Sequence, residues 1–189
     1  MGIPKVTGRR KAVFLDRDGV LNEAKVVDGR PYPPGNLSEL VVPQNIPAEL
    51  SRLRREGYLL ICVTNQPDVA RGRSAPETVE AINDHLARTL GLTDLLTCYH
   101  DQGDGCSCRK PRPGLLAQAS QRHKVNLASS WMVGDRWSDV EAGRAAGCRT
   151  IWIDRGYQDR HPPSTPDCTT RSFREAVDCI LQGRRRQVR

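Results

Sequence analysis

The stretch that most constrains this chain is an apolar run, Ala12-Val13-Phe14-Leu15, that stops on Asp16-Arg17-Asp18-Gly19. Four consecutive apolar residues suit a strand buried on both faces, as in the middle of a parallel sheet, where ligands bind beyond the carboxyl ends of the strands. The run therefore delivers Asp16 and Asp18 to a crevice. Residues two apart on an extended chain point the same way, so both carboxylates can face one reacting centre, and Gly19 allows a sharp turn behind them. Taken alone, the same residues also fit a strand followed by an ordinary Asp-Gly turn.

The pattern recurs along the 189 residues. Apolar strands are expected at 58–63, ending in Thr64-Asn65-Gln66, at 95–98, at 130–133, ending in Gly134-Asp135, and at 150–153. Helical spacing separates them. Ile46, Leu50 and Leu53 precede Gly57, and Val79, Ile82, Leu86 and Leu90 follow Ser74-x-x-Glu77, which has the form of a capping box. Leu115, Leu116 and Ala119 follow Pro113; Ser138 and Glu141 form a second expected box before a helix ending at Gly147; Ser172 and Glu175 open a last helix carrying Phe173, Val177, Ile180 and Leu181. Such alternation predicts an α/β fold, a doubly wound and mostly parallel sheet with helices on both faces. One domain over residues 1–189 is expected, without a separate cap domain and with flexible tails at 1–10 and 183–189. Residues 22–43, rich in Pro and Gly, read as a long loop near the site, of the kind that shapes substrate access.

If the strands are parallel, Asp16, Asp18, Thr64, Asn65, Lys110, Asp135 and Asp139 converge on one sheet edge. Three aspartates can hold Mg²⁺ with water completing its octahedron, while Lys110, Thr64 and backbone N–H groups neutralise a phosphoryl group in transfer. The chemistry is phosphoryl transfer. A second cluster, Cys98-x-His100-x5-Cys106-x-Cys108, offers three thiolates and an imidazole, which suit a closed, structural tetrahedral Zn²⁺. That zinc loop lies directly before Arg109-Lys110 and would stiffen the segment presenting both cations. Cys62, Cys148, Cys168 and Cys179 read as ordinary thiols, and His85 and His123 as surface residues.

The formal charge of +7 resides in the ends. Outside Lys5, Arg9, Arg10, Lys11, Arg184, Arg185, Arg186 and Arg189, residues 12–182 carry 21 bases against 22 acids. A nucleic-acid binder usually concentrates its bases on a folded face, so a nucleic-acid partner is not expected. No apolar run approaches ~18 residues and the N-terminus has no apolar signal core, so the expected location is cytoplasmic, without a membrane partner. A monomer is expected.

Asp16-Arg17-Asp18-Gly19, Thr64-Asn65-Gln66, Arg109-Lys110-Pro111 and Gly134-Asp135-x-x-x-Asp139 resemble, in order, the four motifs of the haloacid dehalogenase (HAD) superfamily. Within it, Asn65-Gln66, Ala70-Arg71-Gly72, the Cys/His pairs and Arg109-Lys110-Pro111-x-Pro113-Gly114 are similar to the D-glycero-D-manno-heptose 1,7-bisphosphate 7-phosphatases. The resemblance implies an HAD-like Rossmannoid fold, Asp16 as nucleophile through an aspartyl-phosphate, and Asp18 as general acid. It implies Mg²⁺ between Asp16, the main-chain carbonyl of Asp18 and Asp135, with Asp139 supporting. Thr64, Asn65 and Lys110 would clamp the phosphoryl oxygens. Arg109 would recognise the second phosphate of a sugar bisphosphate, with Arg71 and Asn22 as further substrate-binding candidates. The chain departs from the family in its Pro-rich segment 30–35 and in a short zinc loop, whose spacing the histidinol-phosphate phosphatases share. The substrate implied is therefore the heptose bisphosphate or a similar heptose or octose bisphosphate, for a cell-surface or natural-product sugar. Histidinol phosphate, and after it a nucleic-acid 3′-phosphate, are the alternatives.

Overall fold

In the computed structural model, residues 10–185 are described. The chain order is β1 (Ala12–Leu15), β2 (Lys25–Val27), β3 (Arg30–Tyr32), α1 (Ile46–Arg55), β4 (Leu59–Asn65), α2 (Pro76–Leu90), β5 (Asp94–Cys98), α3 (Gly114–His123), β6 (Trp131–Gly134), α4 (Trp137–Ala145), β7 (Arg149–Ile153), β8 (Cys168–Thr170) and α5 (Phe173–Arg185). Six strands form one sheet in the order β5-β4-β1-β6-β7-β8, and every neighbouring pair is parallel. The aspartate-bearing strand β1 thus lies inside the sheet, and all four of its residues are buried.

Alternation along β1 divides the core. Val13 and Leu15 face Ile46, Leu50 and Leu53 of α1, Ile82 and Leu86 of α2, and Phe173, Val177 and Ile180 of α5. Ala12 and Phe14 face Leu115, Leu116 and Ala119 of α3 and Ala142 of α4 on the other side. Both faces of the sheet are covered, which is why its strands read as unbroken apolar runs. Because all six strands run the same way, the polar residues after β1, β4 and β6 meet at one edge.

The structure differs from the expectation in four places. The segment 22–43 is not one open loop, for β2 and β3 pair as an antiparallel hairpin across Asp28-Gly29, both with positive φ (49° and 71°). An Asp-Gly pair between short strands is the residue choice of a tight two-residue turn. Ser74 does not cap α2, whose N-cap is Ala75 without a side-chain hydrogen bond. Ser138 lies inside α4, where Asp139 instead accepts from the Arg136 N–H at 3.0 Å, and Glu141 accepts from the Ser164 N–H. A sixth strand, β8, joins the sheet edge. Ser172 does cap α5, its hydroxyl accepting from the Glu175 N–H at 3.2 Å. Of the expected tails, Arg10 forms a parallel bridge with Val125 and residues 183–185 continue α5, while 1–9 and 186–189 lie outside the described residues.

Candidate active site

Asp16 directly follows β1, and Lys110 reaches it from the β5–α3 connection. The buried Lys110 Nζ lies 2.8 Å from Asp16 Oδ1 and 2.6 Å from Asp139 Oδ1, and it donates to the Val63 carbonyl at 2.8 Å. The ammonium thus sits between two carboxylates and a main-chain carbonyl. Burial alone would depress the Lys110 pKa, but Asp139 and Asp16 outweigh it and hold the ammonium charged. For Asp16 the balance runs the other way: burial and the neighbouring Asp139 push its pKa up to about 6 despite Lys110.

Asp135 follows β6 and is buried. Neither of its carboxylate oxygens has a hydrogen-bond partner of acceptable geometry, and one oxygen each of Asp16, Asp135 and Asp139 lie within 4.8 Å of one another. Burial, then Asp16 and Asp139, raises the Asp135 pKa well above the carboxylate range. Three carboxyl groups gathered around one ammonium in a desolvated pocket resist full ionisation together, and they are a donor set that fits a hard divalent cation such as Mg²⁺. Two glycines make the crowding possible. A Cβ on Gly19 would lie 1.8 Å from Asp135 Oδ2, and one on Gly134 would lie 2.1 Å from the Cβ of Asp139.

Asp18 stands at the cleft and is held by three neighbours. Arg17 Nε lies 3.2 Å from both of its oxygens, Asn22 Nδ2 donates to Oδ1 at 3.0 Å, and Gln66 Nε2 donates to Oδ2 at 2.8 Å. Arg17 is itself fully buried and donates to Asn83 Oδ1 at 2.8 Å. Asn22, expected on the substrate, is therefore corrected to a position behind Asp18: it is buried, and its amide is taken by Asp18 and the Glu23 carbonyl. Gln66 also donates to the Thr64 hydroxyl at 2.9 Å, linking the ends of β1 and β4.

Asn65 exchanges two hydrogen bonds with the Lys110 backbone, at 3.0 and 3.1 Å, and so fixes the segment that carries the lysine. Arg109 donates to the His100 carbonyl at 3.1 Å and lines the cleft. Arg71 also lines it, but grips Asp101 through two hydrogen bonds of 3.0 and 2.6 Å, so its charge is already met.

Cys98 Sγ lies 3.6 Å from His100 Nδ1, 3.8 Å from Cys106 Sγ and 3.2 Å from Cys108 Sγ, and Cys108 Sγ is 3.3 Å from His100 Nδ1. A Zn–S bond of about 2.3 Å in a tetrahedron places sulfurs about 3.8 Å apart, near the Cys98–Cys106 separation, and with all four ligand atoms within 4.8 Å of one another the cluster suits the ion.

The cleft over these groups measures about 810 Å³. Its floor includes Asp16, Thr64, Lys110 and Asp135, and the hairpin contributes residues 30–33. A wall formed by 136–138 and 158–160 was not expected from the sequence. Gln158 N–H donates to the Gly29 carbonyl at 2.8 Å, joining this wall to the hairpin turn. The signal was present in the charge-dense Asp154-Arg155-Gly156-Tyr157-Gln158-Asp159-Arg160-His161, which follows β7 as the other site segments follow their strands.

Residues 107–176 match the HAD-hydrolase-like family. The chain is 35% identical over 152 residues to the D-glycero-beta-D-manno-heptose-1,7-bisphosphate 7-phosphatase of Pseudomonas aeruginosa, covering 78% of this chain and 83% of the relative. It is 31% identical over 173 residues to the D-glycero-alpha-D-manno-heptose-1,7-bisphosphate 7-phosphatase of Photorhabdus laumondii, covering 82% and 87%. Among solved structures, the D,D-heptose 1,7-bisphosphate phosphatase of Bordetella bronchiseptica, complexed with magnesium and phosphate, superposes with a TM-score of 0.77 at 27% identity, covering 92% of this chain and 99% of that one.

Proposed function

We propose, from the premise that this chain belongs to the heptose-bisphosphate 7-phosphatase family of HAD-like hydrolases, that it is a Mg²⁺-dependent phosphatase of a sugar bisphosphate. The substrate would be D-glycero-D-manno-heptose 1,7-bisphosphate or a similar heptose or octose bisphosphate. A carboxylate oxygen of Asp16 attacks the 7-phosphorus, the bond to the sugar oxygen breaks, and Asp18 protonates the departing alkoxide. Asp18 then takes a proton from the water that attacks the aspartyl-phosphate, releasing inorganic phosphate and restoring Asp16. Lys110 and Thr64 stabilise charge on the phosphoryl oxygens, and Asn65 keeps Lys110 in place. Asp16, Asp135 and the Asp18 carbonyl would hold Mg²⁺, with Asp139 supporting Lys110. When bound, the ion neutralises carboxylate and phosphoryl charge together. Cys98, His100, Cys106 and Cys108 would hold a structural Zn²⁺.

One observation carries the choice of a bisphosphate. Arg30, Arg109, Arg112 and Arg160 line the cleft, and none of the four makes an ion pair among the described residues. A cleft with surplus guanidinium groups favours a second anion on its ligand and disfavours histidinol phosphate, whose amine is a cation. Among the described residues no helix is long and apolar enough to cross a membrane. We further propose a monomeric enzyme that acts in the cytoplasm. The test is phosphate release from both anomers of the heptose 1,7-bisphosphate, the heptose 7-phosphate, histidinol phosphate and a 3′-phosphorylated oligonucleotide. The bisphosphate should give the highest kcat/KM, and Arg109→Ala should lower its advantage over the 7-phosphate by roughly 10- to 100-fold, the scale of a lost charged hydrogen bond. Preference for histidinol phosphate would transfer the assignment to the alternative.

A further inference from the structure

Arg160 differs from the other cleft arginines in how it is held. Its guanidinium carbon lies over the Trp137 ring, 3.2 Å from the centroid. Stacking uses the face of a guanidinium and leaves its N–H edge unspent, and phosphate oxygens bind that edge in pairs. The adjacent acid does not neutralise it. Asp159 is engaged by Arg136, whose Nε and Nη2 both lie 2.6 Å from Asp159 Oδ2. Trp137 begins α4, two residues after Asp135 and two before Asp139, so the platform is anchored to the element that carries the acidic site.

Topology sets this cation apart from Arg109. Arg109 comes from the connection after β5, whereas Trp137 and Arg160 follow β6 and β7, and the nucleophile strand β1 lies between these two halves of the sheet. Both cations line the same cleft as Asp16. A ligand with its reacting phosphate at Asp16 therefore meets a guanidinium that is stacked on Trp137 and without an ion pair among the described residues, on the side of the cleft away from the zinc loop. Because Trp137 already restricts the side chain, less rotamer freedom is lost when an anion binds.

We infer that Arg160, stacked on Trp137, is a specificity-determining residue that holds the non-reacting phosphate of the sugar bisphosphate jointly with Arg109, the two cations reaching it from different halves of the sheet. This rests on the bisphosphatase reading above. The test compares kcat/KM for the heptose 1,7-bisphosphate and the heptose 7-phosphate in the full chain and in Arg160→Gln, Trp137→Leu and Trp137→Phe. Arg160→Gln should lower the bisphosphate value by ~10-fold and leave the 7-phosphate within about twofold of wild type, since only the former presents the second anion. Trp137→Leu should reproduce part of that loss by releasing the arginine, and Trp137→Phe should restore it. Equal losses on both substrates, or a bisphosphate preference that survives Arg160→Gln intact, would overturn this inference and leave the bisphosphatase reading standing. A wild type without any bisphosphate preference would overturn both.

Discussion

Asp135 carries two buried oxygens without hydrogen-bond partners, facing Asp16 and Asp139 with Lys110 as the ammonium that offsets them. Asp135→Asn should therefore raise the stability of the Mg²⁺-free protein, by ~1 kcal/mol, because it removes a carboxyl that burial and two neighbouring aspartates hold away from its ordinary ionised state. The same change should abolish most of the stabilisation by Mg²⁺, which for a ligand at a hundredfold excess over its Kd is ~2.7 kcal/mol. Thermal unfolding with and without the ion checks both, and an equal Mg²⁺ gain in the two proteins would count against this ligand set. At the reaction centre, Asp16→Asn should remove turnover. Asp18→Asn should cost ~10²-fold or more in kcat while preserving the Mg²⁺ response, because only the proton carrier is lost. These residues were legible in the sequence because each follows an apolar strand. Arg17 and Gln66 were legible only as motif members, since their hold on Asp18 depends on a fully buried guanidinium and on an inter-strand contact that spacing does not encode.

Among the elements, the zinc loop and the hairpin shape access to the cleft. Residues 98–110 contain a short 3-10 turn at Gln102–Asp104 and are held in their course by the Cys/His cluster, by Asn65 and by the Arg71–Asp101 pair. Removing Zn²⁺ should accelerate hydrogen exchange across 98–110 and lower the melting temperature, since a structural zinc contributes folding free energy. Stripping Mg²⁺ should instead stop catalysis reversibly with the fold intact. Metal analysis of active, folded protein should find about one zinc per chain, and a content near zero would refute the Cys₃His site. The central strands and helices were readable because burial on both sheet faces leaves continuous apolar runs and stripes. The hairpin was missed because proline and glycine density obscured the Asp28-Gly29 turn. The two misplaced capping boxes have a different cause: Ser74-x-x-Glu77 has the right spacing, but Pro76 starts the helix from Ala75, and Asp139 displaces Ser138 as the partner of the first turn.

At the scale of the whole molecule, charge is separated by location. Eight bases near the termini account for the positive charge of the chain, while residues 12–182 are almost balanced and still place unpaired arginines around one cleft. The wall at 158–160 was not legible because its residues form no periodic element; they reach the cleft through packing against α4 and the hairpin. If Asp16 attacks the 7-phosphate and not the 1-phosphate of the sugar bisphosphate, the regiochemistry of the product reveals it. Phosphorus NMR of the heptose 1,7-bisphosphate with Mg²⁺ should show inorganic phosphate and the heptose 1-phosphate forming together with wild-type protein and neither with Asp16→Asn. Accumulation of the 7-phosphate, or continued release of phosphate by Asp16→Asn, would contradict it.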